Sequence, residues 1–420
     1  MPGPLSHLSV LDLSRVLAGP WCTQLLADLG ATVIKIERPG TGDDTRGWGP
    51  PFLRDAAGDD TTEAAYYLAC NRGKQSVAVD FTLPEGRDLV RALAGQADIL
   101  VENYKVGGLA KYGLDYASLA GQNPRLVYCA ITGFGQSGPY ADRAGYDFII
   151  QGMGGFMSVT GERDDLPGGG PQKAGIAISD LMTGMYASTA ITAAVARRDA
   201  PGSDGRGQYI DASLFDTMVA MMAVMDMNYL IGGKPPGRAG NAHQNIVPYE
   251  VFRCADGHLI LAVGNDSQFA KFCGIAGVPE WAADPRFAKN VDRVHNRATL
   301  VPMIRAVIAT RAQSDWLAAL EAAGVPSGPI NTVDQVFADP HVVARGMRFD
   351  LPHRLAGTVP QIGNPLKFSA TPVAYDRAPP LLGEHTASVL RERLLLPDAA
   401  IVALGARGVI GLPSPGEGPR

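Results

Sequence analysis

The fold is decided by the stretch LSVLDLSRVLAGPWCTQLLADLGATVIKIE (8–37), in which a strand pattern, a helix pattern and a second strand pattern follow one another. The first strand is predicted at 8–14, the helix at 18–30 and the β-branched strand at 32–37. The alternation continues with SVAVDF at 76–81, a helix over 83–96, DILVENY at 98–104 and RLVYCAI at 125–131. Repeated strand–helix–strand units predict an α/β fold with a parallel sheet covered by helices.

The carboxyl ends of the predicted strands are the expected ligand-binding edge of such a sheet. In this sequence those ends are residues 14–18, 37–38, 102–104 and 133–135. The glycines of GFGQSG (133–138) match a dinucleotide fingerprint, but Pro139 follows where that fingerprint needs a helix whose amides face the pyrophosphate. A dehydrogenase is therefore the weaker alternative.

The composition is that of an ordinary globular protein. The 420 residues carry 37 Lys+Arg against 42 Asp+Glu, a net charge of −5, and 46% of them are apolar. This balance, with no basic stripe, disfavours nucleic acid as the main partner. No apolar run approaches the ~18 residues of a membrane span and the first residues lack signal-peptide features, so we expect a cytoplasmic protein without a membrane partner.

The cysteines and histidines do not form a recognisable metal motif. Cysteine occurs at Cys22, Cys70, Cys129, Cys254 and Cys273, without a CxxC pair. No histidine pair has the spacing of a zinc site. We expect reduced thiols in a cytosolic protein, and neither a disulfide framework nor a metal.

The second half of the chain predicts a smaller α+β unit. A long helical pattern covers 180–197, and a strand then leads into a helix whose stripe of Met218, Met221, Met222 and Met225 is typical of core packing. After a Gly/Pro-rich stretch come a hairpin with a DG turn at 249–264 and helical patterns at 266–275 and 297–324.

A carboxylate is the most plausible catalytic group. The chain has no GxSxG elbow, no histidine in a triad motif, and no Lys–Ser/Thr after the glycine run 168–170. Asp180 joins a short apolar segment to a long helix, where the first helical amides and the positive dipole end would stabilise its anion. Such an anion can act as a nucleophile. The alternative is that Asp180 only caps the helix.

Stretches along nearly the whole chain resemble the family III CoA-transferases (CaiB/BaiF family), whose members include formyl-CoA:oxalate and carnitine CoA-transferases. The matching stretches are 10–46, 71–81, 97–114, 133–147, 178–187, 205–216, 324–336 and 379–386. The resemblance implies an open, Rossmann-like α/β domain built from both chain ends, a smaller α+β domain, and an interlocked dimer. The implied division is 1–200 and 331–400 for the large domain, 201–245 for a linker and helix, 246–330 for the small domain and 401–420 for a C-terminal tail.

The resemblance also implies the site residues, with Asp180 as the nucleophile. Coenzyme A contacts would come from Leu17, Ala18, Arg38, Val79, Asn103, Tyr104, Lys111, Arg143 and Tyr146. The substrate pocket would involve Arg15, Trp48, Tyr66, Gly135, Asp147 and His243. Arg38, Lys111 and Arg143 suit phosphates, and Tyr104 offers adenine a flat face.

The implied activity moves CoA from a donor such as succinyl-CoA to a small carboxylic or dicarboxylic acid. Asp180 attacks the thioester to give a mixed anhydride, the CoA thiolate returns to form an aspartyl-CoA thioester, and the acceptor carboxylate takes over the CoA. Amides of the glycine loop 133–138 would stabilise the oxyanions. Acyl-CoA and the acid are the expected partners, and no ATP, metal or permanently bound cofactor is required.

Two departures from the formyl-CoA:oxalate members bear on the acceptor. The glycine run that closes over the intermediate in those members is replaced by RAGNAHQN (238–245), and Leu17 replaces a polar residue beside the substrate. The change at Leu17 disfavours oxalate. The loop NAHQNIVPYE (241–250) resembles that of relatives that use succinyl-CoA and small dicarboxylates such as glutarate, itaconate or citramalate, whose distal carboxylate Arg15 and His243 would hold. A loop histidine bonded to backbone is the alternative for His243.

Two other functions stay open. A 2-methylacyl-CoA racemase would use the site of Tyr146 and Asp147 to move an α-proton, although a phenol is a poorer base than the imidazole expected there. A non-catalytic CoA-binding protein would use Asp180 only as a helix cap. The acyl donor, the acceptor and the subunit that supplies each side chain are not determined by the sequence.

Overall fold

The computed structural model of the protein describes residues 2–412. Its strands are β1 (Ser9–Asp12), β2 (Thr32–Glu37), β3 (Phe52–Arg54), β4 (Asp60–Ala64), β5 (Lys74–Val79), β6 (Ile99–Glu102), β7 (Val127–Thr132), β8 (Tyr209–Ser213), β9 (Tyr249–Arg253), β10 (His258–Ala262), β11 (Ser327–Pro329), β12 (Arg348–His353), β13 (Gly357–Ile362) and β14 (Ile410–Gly411).

The helices vary from one turn to six turns in length. They are α1 (Ala18–Asp28), α2 (Ala65–Leu68), α3 (Pro84–Ala94), α4 (Tyr116–Leu119), α5 (Asp147–Met153), α6 (Phe156–Val159), α7 (Ile178–Asp199), α8 (Leu214–Met222), α9 (Val224–Gly232), α10 (Asp266–Ala276), α11 (Asn290–His295), α12 (Arg297–Ile308), α13 (Gln313–Ala322), α14 (Val333–Ala338), α15 (Pro340–Ala344), α16 (Thr386–Leu394) and α17 (Asp398–Ala406).

The described residues divide into two compact units. The first unit contains residues 2–155, 174–223 and 341–412, and the second contains 156–173 and 224–340. Residues 201–223, which the sequence assigns to a linker and helix, therefore pack within the first unit.

A seven-stranded sheet forms the centre of the first unit, in the order β14-β5-β2-β1-β6-β7-β8. All its pairings are parallel except that of β14, which runs antiparallel to β5 and brings the C-terminal part of the chain into the sheet. The chain starts in the middle and builds outward in both directions, so the switch point lies between β1 and β6. The predicted α/β fold with a large parallel sheet is confirmed.

The central strands are largely buried on both faces because helices cover both sides of the sheet. Val10, Val33 and Ile99 are fully buried in adjacent strands. Leu11, Val77 and Leu100 belong to one core cluster, together with Val389 and Leu390 of α16. Burial on both faces explains why the strands lack a polar alternation in the sequence.

Helix α7 packs along α1 beside this sheet. The two helices approach closely at Gly184, where a Cβ atom would lie 2.6 Å from the carbonyl oxygen of Ala18. Gly184 is one turn beyond Asp180, so this contact brings the first turn of α7 next to the first turn of α1. The glycine is therefore a packing requirement of the region that carries Asp180.

The second unit has its own core around the three-stranded antiparallel sheet β11-β10-β9. Phe252 and Leu259, paired across the predicted hairpin, are buried against helices α10, α12 and α13. Trp316 of α13 is fully buried, and its indole N–H donates to the carbonyl of Ile308 at 2.9 Å. The predicted hairpin at 249–264 is confirmed.

Three details of the second half differ from the predictions. The methionine stripe does not lie on one helix, because Ala223 has φ 42° and ψ −100° and separates α8 from α9. The pattern at 297–324 forms two helices, α12 and α13. Of the short strands after 331, β12 and β13 pair with each other, and β14 alone among those described joins the large sheet.

The segment predicted to be a C-terminal tail, 401–420, has regular secondary structure in the part that the structure describes, 401–412. Residues up to 406 continue α17, and β14 follows it, because Ile401, Leu404 and Ile410 are buried in the core of the first unit. Residues 413–420 lie outside the described residues.

No single helix within residues 2–412 has the length and apolar composition to cross a membrane. The bent pair α8 and α9 meets that criterion jointly, by length and composition alone.

Candidate active site

A cavity of about 740 Å³ lies at the carboxyl ends of the parallel strands in the first unit. Residues that follow β1, β2, β5, β6, β7 and β8 all contribute to its wall, as expected at the switch point of such a sheet. The sequence-predicted residues that line it are Arg15, Leu17, Ala18, Arg38, Val79, Asn103, Tyr104, Lys111, Arg143, Tyr146 and Asp180. All nine residues expected to contact CoA, and the expected nucleophile, thus share one cavity.

Four cations on this wall form no ion pair with any described carboxylate: Arg38, Lys105, Lys111 and Arg143. The Arg143 guanidinium instead lies 4.6 Å from the ring centroid of Tyr140, and the Lys111 ammonium lies 4.8 Å from that of Tyr112. Unpaired cations around one cavity suit a ligand with several phosphate charges. Lys105 was not identified from the sequence as a site residue, although it lies only two residues beyond Asn103, which was predicted.

An aromatic cluster forms another part of the wall. Phe81 packs edge-on against Tyr104, with centroids 5.9 Å apart, and against Tyr112, with centroids 5.3 Å apart. The three partly buried rings offer flat apolar surface to a heterocyclic base. The sequence did not identify Phe81 and Tyr112, because an isolated aromatic residue is more often part of the core than of a ligand site.

Asn103 has a structural part in addition to the CoA contact expected of it. Its side-chain oxygen accepts the backbone N–H of Arg15 at 2.8 Å, and its side-chain nitrogen donates to the Arg15 carbonyl at 2.7 Å. Both ends of the amide are therefore used within the protein, and the side chain holds the turn before α1.

Leu17 and Ala18 present backbone to the cavity. Leu17 is the N-cap of α1, and its apolar side chain makes no capping hydrogen bond to the first amides of that helix. The open amides at the start of α1 form a positive end directed at this part of the wall.

Asp180 lies in the first turn of α7, whose N-cap is Ala177, so Asp180 is not the residue at the cap position. The alternative that Asp180 only caps the helix is therefore wrong. Burial, followed by the nearby charge of Asp147, raises the pKa of Asp180 to about 7. Desolvation and a like charge both favour the neutral form of this carboxyl. A carboxylate that ionises near neutral pH remains suited to act as a nucleophile.

Asp147 secures the start of α7 next to Asp180. Its carboxylate accepts the backbone N–H of Ser179 at 2.8 Å, the Ser179 hydroxyl at 2.6 Å and the side-chain amide of Gln151 at 2.6 Å. Asp147 does not line the cavity, but it acts on Asp180 both through its charge and through the adjoining residue.

Tyr66 and Trp48 also lie off the cavity wall, although the charges of Asp180 and Asp147 act on Tyr66. Burial, then the charge of Asp180, raises the pKa of Tyr66 to about 12, with Asp147 contributing. Trp48 packs edge-on against Tyr66 with centroids 5.1 Å apart. Tyr66 therefore lies near enough to Asp180 for the two groups to interact electrostatically, and Trp48 packs on Tyr66.

Two predicted pocket residues are placed elsewhere. Gly135, at φ 83°, donates its N–H to the Thr132 hydroxyl and lies outside the cavity lining, whereas Gly133 lines it. His243 belongs to the second unit, where its Nδ1 accepts the N–H of Asn245 at 3.0 Å and its ring packs against Tyr249. These contacts match the alternative of a loop histidine bonded to backbone.

No group of three or more His, Cys, Asp or Glu side chains within residues 2–412 has the arrangement of a metal site. The five cysteines are free and buried.

A parallel α/β sheet with a carboxylate, unpaired cations and aromatic rings around one switch-point cavity defines an α/β enzyme that acts on a phosphorylated, base-bearing ligand. The sequence matches the family described as CoA-transferase family III over residues 5–386, and the chain belongs to that family.

Three known proteins illustrate the similarity. The chain is 52% identical to a succinate–glutarate CoA-transferase of Agrobacterium fabrum, over 93% of this chain and 95% of that protein. It is 42% identical to the succinyl-CoA:glutarate CoA-transferase of Homo sapiens, over 97% and 90%. A crystal structure of a CaiB/BaiF family protein from Brucella suis matches with a TM-score of 0.81 and 50% identity, over 94% of this chain and all of that one.

Proposed function

We propose that this enzyme transfers CoA from succinyl-CoA to a small dicarboxylic acid, with glutarate the first acceptor to test. The observation that carries the proposal is the shared cavity, in which Asp180 lies on the same wall as four unpaired cations and an aromatic cluster. The names of the relatives from Agrobacterium fabrum and Homo sapiens supply the acyl donor and the acceptor.

Asp180 is the nucleophile of the proposed reaction. Its ionised oxygen attacks the thioester carbonyl of succinyl-CoA, the carbon–sulfur bond breaks, and an aspartyl–succinyl anhydride and a CoA thiolate result. The thiolate attacks the aspartyl carbonyl and releases succinate, leaving an aspartyl-CoA thioester. The acceptor carboxylate then attacks this thioester and the CoA thiolate returns to the acceptor carbonyl, so that Asp180 is regenerated.

The CoA moiety is proposed to lie across the rest of the cavity. Arg38, Lys105, Lys111 and Arg143 supply positive charge for its phosphates. The rings of Phe81, Tyr104 and Tyr112 supply the apolar surface for adenine. Val79, Tyr146 and the amides of Leu17 and Ala18 complete the proposed contacts.

The acceptor's distal carboxylate is proposed to bind Arg15. Arg15 lines the cavity with a half-exposed guanidinium, which pairs with Asp44 at 3.1 Å. Trp48, Tyr66, Asp147 and the Gly135 loop are proposed to surround the acyl group.

The oligomer is proposed to be an intertwined homodimer. Large apolar side chains of the first unit are exposed, among them Phe148, Ile149 and Met153 of α5 and Met185 and Tyr186 of α7. Such a set favours burial against another surface. We further propose that the large domain uses both chain ends (1–200 and 331–400) and that the small domain covers 246–330. The enzyme is proposed to be cytoplasmic, because its free thiols suit a reducing compartment.

The test is the intact-protein mass after rapid mixing with succinyl-CoA, in wild type and Asp180→Asn. A succinyl or CoA adduct on the peptide that contains Asp180, absent in the variant, supports the transferase. Glutarate should then discharge the CoA adduct as glutaryl-CoA. If no donor gives an adduct but solvent deuterium enters the α-carbon of a branched acyl-CoA, the enzyme is a racemase. CoA binding without either result indicates a binding protein.

A further inference from the structure

The turn between β1 and α1 is held by side chains from other parts of the fold. The carbonyl of Ser14 accepts the Lys35 ammonium at 2.8 Å, and the N–H of Val16 lies 3.2 and 3.3 Å from the two carboxylate oxygens of Asp43. Arg15, between them, is held by Asn103 as described above. Each peptide group from 14 to 16 is therefore fixed by a residue distant in sequence.

The backbone of this turn adopts a conformation that its sequence disfavours. Val16 has φ 70°, in the left-handed region, and β-branched residues strongly avoid this region. Such a conformation persists only where the surroundings over-determine it. The conformation leads directly into Leu17 and Ala18, which line the cavity.

Asp43 and Lys35 form the central pair of this arrangement. Both side chains are fully buried, and the ammonium lies 2.9 Å from the carboxylate. Parallel pairing of β1 with β2 aligns Lys35 with Asp12, so the ammonium reaches the end of β1. The backbone N–H and hydroxyl of Thr45 also donate to Asp43.

The charge state of Asp43 agrees with that geometry. Burial alone would raise the pKa of Asp43, but the Lys35 ammonium and the hydrogen bonds from Thr45 outweigh burial and lower it to about 2. Asp43 is therefore an ionised acceptor at every pH at which the enzyme is expected to work.

We propose that Asp43 is a positioning residue for CoA binding, which keeps Val16 in the left-handed conformation and so directs Leu17 and Ala18 into the cavity. This inference rests on the proposed function, because it assigns the cavity to CoA. Without Asp43, Val16 returns to a negative φ and the start of α1 withdraws from the ligand.

The proposal makes a specific prediction about glycine at position 16. Glycine adopts φ 70° at no steric cost and does not need Asp43 to hold it there. The loss of affinity caused by Asp43→Ala should therefore be large with valine at position 16 and small with glycine.

The experiment is calorimetric titration with free coenzyme A of wild type, Asp43→Ala, Val16→Gly and the double variant. Loss of a hydrogen bond to a charged group predicts that Asp43→Ala weakens binding by about 10- to 100-fold. In the Val16→Gly background the same change should weaken binding by about twofold at most. Asp88→Ala, which removes an exposed carboxylate from α3, is the matched control and should not alter the affinity.

A second set of variants guards against misfolding. Asp43→Ala leaves Lys35 buried without its partner, so Lys35→Met/Asp43→Ala removes both charges together. The same comparison is then made with valine and with glycine at position 16. Crystal structures of the variants report φ of residue 16 directly.

Two outcomes overturn the proposal: CoA affinity that does not change in folded Asp43→Ala, or equal losses in the valine and glycine backgrounds. If instead the proposed function were wrong, the results would differ from both of these outcomes. The wild type would then bind CoA with the predicted dependence on Asp43 but would form no adduct at Asp180 with succinyl-CoA.

Discussion

Removing the charge of Asp147 should make Asp180 a stronger acid and change the pH dependence of the first chemical step. Asp147→Asn is nearly isosteric, and the remaining amide oxygen can still accept the N–H and hydroxyl of Ser179. The bond from Gln151 is the one that loses its acceptor. The start of α7 should therefore stay in place while the like charge beside Asp180 disappears.

The magnitude follows from the pKa of Asp180, which burial and then Asp147 raise to about 7. At pH 6 such a carboxyl is ionised to roughly one part in ten. Burial is the larger cause and remains in the variant, so the pKa should fall below 7 but stay above its ordinary value. If the pKa falls by one unit, from about 7 to about 6, the ionised fraction at pH 6 rises from about 0.1 to about 0.5, a fivefold gain.

The assay is the rate of covalent adduct formation at saturating succinyl-CoA, followed by rapid quench and mass spectrometry between pH 5 and pH 8.5. In the wild type the rate should rise with pH to a midpoint near the pKa of Asp180, about 7. The variant should react about fivefold faster than wild type at pH 6 for a one-unit shift. It should be no faster at pH 8.5, where both carboxylates are ionised.

Asp142→Asn is the matched control, because it removes a carboxylate from the cavity wall that does not act on the pKa of Asp180. Its midpoint should remain where the wild type has it. The reasoning is refuted if Asp147→Asn and the wild type share one midpoint, or if the wild-type rate does not vary between pH 5 and pH 8.5.

Three further predictions concern stability and binding. The pKa of the Asp180 carboxyl is about 7 in the folded protein and has an ordinary value of 3.8. Ionisation of this group therefore destabilises the folded state as the pH rises from about 4 to about 7, and Asp180→Asn removes that effect. The variant should therefore be more stable than wild type at pH 8 by roughly 2 to 4 kcal/mol in urea unfolding, with the difference lost near pH 4. Gly184→Ala places a Cβ atom 2.6 Å from a carbonyl of α1 and should cost about 1 to 3 kcal/mol and slow adduct formation, whereas Gly121→Ala, with open space around it, should do neither. Arg38→Ala and Arg143→Ala should each raise the KM for succinyl-CoA about tenfold, less at high salt, and a KM that is indifferent to salt would argue against phosphate contacts.

Much of the fold could be predicted because its signals are local. The β-branched run at 32–37 is a strand and the helix pattern that starts at 18 is a helix, since backbone preference and side-chain periodicity act over a few residues. The break at Ala223 gave no comparable signal. Alanine has no intrinsic preference for these backbone angles, which occur at the residue where the chain leaves the first unit.

The composition of the site could also be predicted in part. Residues after successive parallel strands must meet at one edge of the sheet, so Arg38, Tyr104 and Lys111 line one cavity as expected. Phe81 and Lys105 escaped prediction because nothing in their neighbours distinguishes a ligand contact from ordinary packing or a solvated charge.

The sequence by itself therefore determined the order of strands and helices, the edge where a ligand binds and the position of the candidate nucleophile. Only the tertiary structure decided the chemical state of that nucleophile, because the pKa of Asp180 depends on its burial and on Asp147, which is distant in the chain. The same holds for Val16, whose disfavoured conformation is maintained by Asp43. Desolvation and charge–charge interactions act through space, and only the folded chain brings these groups together.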